Sequence, residues 1–298
     1  MRKSLKGNIQ GLSMRVTLLP RLILSSIVAS LLLPTPAAAS SAELIGLERD
    51  LSMLVAGRSG EYGIAALDLR DGSTVAVNGD IPFPMASTIK IAIAAAYLAQ
   101  VDQGRRGLGD TILGRPAAKV LDLMIVRSDN RAADQVLASL GGPMAVQQWL
   151  STQKITGIRV DRTIAQLLRE RGHIADSRDV ATPVAMVALL QKLDSGTVLT
   201  AQSRTFLFEL MSRCATGTRR IRALLPAGTP VEDKTGTLDG VTNDVGYITM
   251  PDGRRVAVAV FARGGRDHQP VIAAVSRAIY DRFADSARNA LALFMLMR

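Results

Sequence analysis

Residues 62–78 read YGIAALDLRDGSTVAVN. Two apolar, strand-forming runs, 62–69 and 73–78, meet at Asp71-Gly72, a pair suited to a tight turn, and predict a β-hairpin. A second hairpin is predicted far along the chain, where 242–249 (TNDVGYIT) and 255–262 (RVAVAVFA) flank Pro251-Asp252-Gly253. An isolated hairpin is marginal in water, so strands from the two chain ends are expected to pair with each other. Between them, 87–103, 116–139, 144–154 and 181–193 carry helical patterns, and 203–225 reads as a helix and connecting turn. The stretch 87–103 has so few charges that it should be buried on most sides. In 181–193, Pro183 suits a first helical turn with Thr182 as its cap. An amphipathic helix over 42–56 precedes the first hairpin, and another over 271–283 follows the second. The expected fold class is α+β: one antiparallel sheet built from both chain ends, flanking helices, and an inserted all-helical lobe over roughly 87–210. A functional site is expected where the lobes meet.

Composition removes several kinds of chemistry. One cysteine, Cys214, among 298 residues excludes an internal disulfide and a cysteine-based zinc site. Two histidines, His173 and His268, without an HExxH pattern, argue against a histidine metal site and a Ser-His-Asp triad. Both read as surface residues, and Cys214 as a buried, unreactive thiol. No metal and no cofactor are expected. The net charge of +10 suggests a nucleic-acid or membrane partner until its location is considered. Residues 1–39 hold Arg2, Lys3, Lys6, Arg15 and Arg21 and no acid, then an apolar run from Leu22 to Leu33 and the small residues Ala37-Ala38-Ala39. This is the pattern of a secretory signal peptide cut after Ala39, whether translation starts at Met1 or Met14. The alternative, a membrane anchor, needs about 20 apolar residues. No cysteine lies near the cut, so a lipoprotein is excluded. Removing 1–39 leaves +5 on 259 residues, with basic residues dispersed among acids. The expectation is a secreted, periplasmic monomer, residues 40–298, with no nucleic-acid partner and no stable membrane anchor. The apolar tail within 284–298 reads as a helix packed on the body.

With triads and metals removed, a serine activated by lysine comes forward. Ser87-Thr88-Ile89-Lys90 fits S-x-x-K, though Ser151-Thr152-Gln153-Lys154 fits it too. The first match follows Phe83-Pro84-Met85-Ala86 and opens the apolar helix, so its serine sits where helix N–H groups favour an anion. Lys90 lies one turn on. An amine buried there, or close to another cation, loses basicity and can take the serine proton. The plainer alternative makes Ser87 a cap and Lys90 a snorkelling side chain. Ser128-Asp129-Asn130 follows 41 residues after Ser87, and Lys234-Thr235-Gly236-Thr237 follows 147 after it. Alone, the first is usually a capping turn and the second a solvated strand edge; in this order they form a specific set.

That set, with FPMAST-x-K (83–90), VRSDN (126–130), Gly141-Gly142-Pro143, RD-x-x-TP (178–183), TG-x-x-RIRALLP (216–226), DKTGT (233–237) and ND-x-G (243–246), resembles the class A β-lactamase-like serine hydrolases from about residue 42 to 283. The resemblance implies that Ser87 is the acylated nucleophile, that Lys90 activates it and that Ser128 relays a proton to the leaving nitrogen. It implies that Asn130 holds the substrate's side-chain amide. Lys234 would face the substrate carboxylate and lower the basicity of Lys90. Thr235 and Thr237 would bond that carboxylate beside Gly236, with Arg220 as a further anchor. The backbone N–H groups of Ser87 and Thr237 would form the oxyanion hole.

The hydrolytic half departs from the family. The family places a glutamate base on a loop opening R-x-E-x-x-L-N and closing at an aspartate. Here the loop anchors Arg162 and Asp179 remain, but the Glu position falls on Ile164 and the Asn position on Leu168, and the loop is two residues longer than usual. Gln166 can position a water but is no base; Glu170 is the carboxylate that could reach in, and Asp161 is the other one nearby. The stretch from Ser87 to Ser128 is short and offers no aromatic rim from Leu98 onward, so a wide cleft is expected. Three readings follow: a β-lactam-hydrolysing enzyme deacylated through Glu170 or a Lys90-assisted water; a penicillin-binding or D,D-peptidase-like hydrolase that deacylates slowly on β-lactam or peptidoglycan-peptide-like substrates; and a non-catalytic binding protein that keeps the fold.

Overall fold

From Val256 to Ala262 every residue is buried, a pattern that requires cover on both faces of a strand. In a computed structural model, which describes residues 41–170 and 177–296, that cover is present. The elements run α1 (Ser41–Val55), β1 (Glu61–Asp68), β2 (Thr74–Val77), β3 (Phe83–Pro84), a 3-10 turn (Ala86–Ile89), α2 (Lys90–Asp102), β4 (Thr111–Ile112), β5 (Arg115–Pro116), α3 (Ala117–Val126), α4 (Asn130–Leu140), α5 (Pro143–Thr152) and α6 (Ile164–Glu170). They continue β6 (Val180–Ala181), α7 (Pro183–Asp194), α8 (Ala201–Ser212), a 3-10 turn (Ile221–Leu224), β7 (Val231–Leu238), β8 (Val241–Thr249), β9 (Arg255–Arg263) and α9 (His268–Leu296).

The main sheet has the order β2-β1-β9-β8-β7, antiparallel throughout, so the chain ends do meet at the β1–β9 pairing. Side-chain alternation divides two cores. Val256, Val258, Val260 and Ala262 join Ile64, Leu47, Leu51, Val275 and Ile279 beneath α1 and α9. Ala257, Ala259 and Phe261 join Ala65, Leu67 and the helices of the other face. At the centre of those helices α2 is buried from Lys90 to Ala99, as its lack of charge predicted. The edge strand β7 packs against the 3-10 turn at 86–89.

Several elements differ from expectation in extent. The stretch 116–139 is two helices, not one. Ser128 has φ +57, and the Asp129 side chain accepts from the Ala132 N–H at 2.7 Å, capping α4 and ending the helical run before it. The stretch 203–225 holds the end of α8 and a 3-10 turn, as a helix and connecting turn would, and α9 continues beyond 283 into the tail read as helical. His268 is not a surface residue: only 5% of it is exposed, its Nε2 lies 2.5 Å from the Gly264 carbonyl oxygen, and its ring meets Tyr62 edge-on, because the first turn of α9 packs down over β1. The segments read as a signal peptide (1–39) and as the site of His173 lie outside the described residues. Among the described residues no helix is long and apolar enough to cross a membrane.

The end of β1 is tied to the start of β9 by a fully buried ion pair, Arg254 Nη1 to Asp68 Oδ2 at 2.9 Å. Asp68→Ala leaves the guanidinium with Asp252, whose Oδ2 lies 2.7 Å from Arg254 Nε, as its remaining charge partner, and the lost buried bond is expected to cost about 1–3 kcal/mol in urea unfolding. The double variant Asp68→Ala/Arg254→Met should recover most of that loss; equal stability of the single variant and the parent would show that the pair carries nothing.

Candidate active site

Ser87 stands on a strained turn held from three sides. Ala86 has φ +51, a left-handed backbone that an alanine adopts only when its surroundings impose it. Asn243, buried on β8, donates through Nδ2 to the carbonyls of Pro84 at 2.7 Å and Met85 at 3.0 Å. The Thr88 hydroxyl donates to the Met85 carbonyl at 2.8 Å, and the Met85 N–H donates to the Asp179 carbonyl at 3.0 Å. Gly236 lets β7 come this close: a Cβ there would stand 2.6 Å from the Met85 carbonyl oxygen and 3.1 Å from the Ala86 Cβ.

Two lysines converge on one hydroxyl. Lys234 Nζ donates to Ser128 Oγ at 2.9 Å and to its neighbour's carbonyl, Thr235 O, at 2.8 Å. Lys90 Nζ lies 3.3 Å from the same Oγ and donates to Ser128 O at 2.7 Å and Asn130 Oδ1 at 2.6 Å. The left-handed turn at Ser128 is what aims both its carbonyl and its hydroxyl at these amines. Burial, joined by the Lys234 charge and opposed by Asp129 and Asp134, lowers Lys90 to about 7. Burial lowers Lys234 to about 8. Ser87 and Lys90 lie in consecutive turns, yet Lys90 is bonded to Ser128 and Asn130, so the hydroxyl of Ser128 is the link between the two amines.

The other end of β7 is an anchor region. Arg220, 6% exposed, donates to Gly236 O at 3.0 Å, to Asn243 O at 2.7 Å and to Thr237 Oγ1 at 2.7 Å. Thr235 Oγ1 meets Thr216 Oγ1 at 2.6 Å. Behind them Asp233 is bonded by Arg222 Nε at 2.8 Å, and Asp244 accepts from the Ile221 N–H at 3.1 Å. Burial and the neighbouring Asp233 charge push Asp244 well up. Cys214 is buried, with its Sγ 3.3 Å from Thr216 Oγ1.

Across the site, Arg162 Nε pairs with Asp179 Oδ2 at 2.6 Å, and Asp179 Oδ1 accepts from the N–H groups of Asp161 and Arg162 at 2.8 and 3.1 Å. This pair thus closes the neck of the loop. Ile164 is buried in the helical core, whereas Leu168 is 47% exposed. Glu170 does not reach inward: its Oε2 is bonded at 3.0 Å by Arg162 Nη1 and at 3.0 Å by Arg178 Nη1. The Arg162 hydrogen bond first, and the Arg178 charge after it, hold this carboxyl below its usual range.

Residues 46–283 match the sequence pattern of the Beta-lactamase enzyme family. The chain belongs to that family. It is 29% identical over 277 residues to the extended-spectrum beta-lactamase PER-1 of Pseudomonas aeruginosa, covering 81% of this chain and 88% of the relative. It is 32% identical over 245 residues to the carbapenem-hydrolyzing beta-lactamase KPC of Klebsiella oxytoca, covering 73% and 82%. Among solved structures it is similar to the class A beta-lactamase of the last common ancestor of Gram-negative bacteria, with a TM-score of 0.76, 35% identity, and 80% and 99% of the two chains covered. The α+β architecture and the beta-lactamase-type serine hydrolase class follow from these matches.

In this beta-lactamase family member Lys90, Ser128, Asn130 and Lys234 come together, and Ile164, where the sequence reading put the loop glutamate position, is buried. Sequence reasoning missed Asp134, whose Oδ1 and Oδ2 accept from the N–H groups of Ile164 and Ala165 at 2.7 and 2.9 Å and pin the first turn of α6. It also left Asn243 and Arg222 without a role, because their bonds run to backbone and to residues far away in sequence. Asn243→Ala removes both bonds to the Pro84 and Met85 carbonyls and leaves them buried; a loss of about 1–3 kcal/mol is expected in thermal unfolding. Labelling by a fluorescent penicillin should slow with it, and unchanged labelling would remove Asn243 from the support of Ser87.

Proposed function

We propose that this enzyme opens β-lactams by acylation of Ser87, with deacylation as its slow step. The observation that supports this most is the pair of buried amines on Ser128 Oγ, one of them lowered to about 7 and so in part neutral near pH 7. The Ser87 hydroxyl gives its proton to neutral Lys90, by way of the Ser128 hydroxyl, as its oxygen adds to the lactam carbonyl. The C–N bond then breaks, the leaving nitrogen takes a proton from Ser128, and Lys90 restores that proton. Lys234, Thr235 and Thr237 receive the substrate carboxylate, Arg220 holds Thr237, and Asn130 faces the side-chain amide. The N–H groups of Ser87 and Thr237 stabilise the oxyanion, a contribution of about 3–4 kcal/mol for a donor of this kind. Water then attacks the ester with Lys90 taking its proton, and Ser87 leaves protonated.

The loop favours a slow second half. Ile164 offers no proton acceptor, and Glu170 is tied to Arg162 and Arg178. The same facts support a second reading, a penicillin-binding or D,D-peptidase-like protein on which the acyl group persists, with peptidoglycan-like peptides as substrates. A non-catalytic binder fits poorly, since binding alone needs no buried serine–lysine set. The working form in either case is residues 40–298, exported to the periplasm after loss of 1–39 and acting as a monomer, without nucleic acid or a membrane anchor.

Mixing the mature protein with a penicillin should give a one-equivalent burst and a mass adduct on Ser87, followed by slow turnover. An adduct with no turnover selects the second reading, and fast turnover with no adduct defeats the slow-step assignment. Glu170→Gln should leave deacylation unchanged, while Ile164→Glu should speed it by at least about tenfold, within the range of a positioned base. Acylation should rise with pH through about 7 as Lys90 loses its proton, and fall above about 8 as Lys234 loses its charge. A flat acylation profile from pH 6 to 9 would exclude Lys90 as the base.

A further inference from the structure

Beyond the anchor residues the groove continues into a second, positively charged space. A cleft of about 550 Å³ lies between the β7–β8 turn and the β9–α9 connection, with Thr242, Arg219, Arg266, Asp267 and His268 among the residues of its walls. Thr242 stands directly opposite Thr237 in the β7–β8 register, so the two side chains share one face of the sheet. Thr237 is in turn bonded by Arg220. The carboxylate anchor and this cleft are therefore neighbours on a continuous surface.

Arg219 and Arg266 are exposed, and neither has an ion-pair or hydrogen-bond partner among the described residues. This sets them apart from most arginines of the sheet end: Arg220 is bonded to Thr237, Arg222 to Asp233, Arg254 to Asp68 and Arg263 to Glu61. Asp267 is the acid in the cleft wall, close enough to act on Tyr62, on the β1 side. His268 is tucked against Gly264 and Tyr62. The two guanidiniums are thus the groups left to meet a ligand, and a planar guanidinium is suited to a carboxylate or sulfonate.

We propose that this cleft is a specificity subsite for a second anionic group, carried by the substrate on the side of its anchoring carboxylate. The proposal rests on the functional reading above for the direction in which substrate lies. It predicts a preference among substrates, not a change in the chemistry at Ser87. Exposed charge pairs are individually weak, so the two arginines together are expected to give about five- to tenfold in the second-order acylation rate at low salt.

The test uses two cephalosporins of matched size, one with a carboxylate-bearing and one with a neutral substituent on the ring carbon beside the anchoring carboxylate. Acylation of Ser87 by each is followed by intact mass. The parent protein should prefer the anionic compound by about five- to tenfold at low ionic strength, and the preference should shrink as salt screens it. In Arg219→Gln/Arg266→Gln the ratio should approach one, and Arg266→Glu should lower it further. A parent ratio near one, or a ratio unchanged in the double variant, overturns the subsite. Failure of both compounds to acylate Ser87 overturns the functional reading instead and takes the subsite with it; acylation by the neutral compound keeps the two outcomes apart.

Discussion

Two ammonium groups held out of water within reach of one hydroxyl set the terms for this site. Lys90 and Lys234 are both fully buried, and both bond Ser128 Oγ. Neither has a carboxylate in hydrogen-bond contact; their acceptors are carbonyls, an amide and a hydroxyl. A buried cation without an anion beside it lowers its own proton affinity and that of its neighbour. The surrounding structure sustains that condition. Gly236 brings β7 against the Ser87 turn, Asn243 ties that turn to β8, and the Arg162–Asp179 neck reaches it through Met85.

The sheet was legible in the sequence because its strands are patterned for their burial. The unbroken apolar run of β9 and the turn residues at Asp71-Gly72 and Asp252-Gly253 reflect local backbone chemistry. The two-helix break at 127–129 was harder to read, since Arg127-Ser128-Asp129 interrupts the pattern for only three residues and the left-handed turn falls on a serine. His268 looked exposed because its neighbours Asp267 and Gln269 are polar. Its burial comes from the packing of α9 over Tyr62, which no local pattern encodes.

In the site, the candidate residues came from motifs and the family resemblance that they carry, whereas their supports did not. Ser87, Lys90, Ser128, Asn130 and Lys234 belong to short strings with chemical meaning. Asp134 and Arg222 act through backbone groups and partners distant in sequence, so only coordinates connect them to it. Glu170 is a different case. It was attractive as the nearest spare carboxylate, but two arginines were already within its reach.

The strand order carries a consequence for how the chain acquires its shape. Glu61 pairs with Arg263, 202 residues later, and the order β2-β1-β9 leaves β1 without its inner neighbour until β9 has been made. Until then the first hairpin presents a bare, apolar edge. Closing so long a loop is entropically costly and must precede the contacts that reward it, which makes folding slow and late. A truncation before residue 255 therefore removes the central strand of the sheet along with the tail.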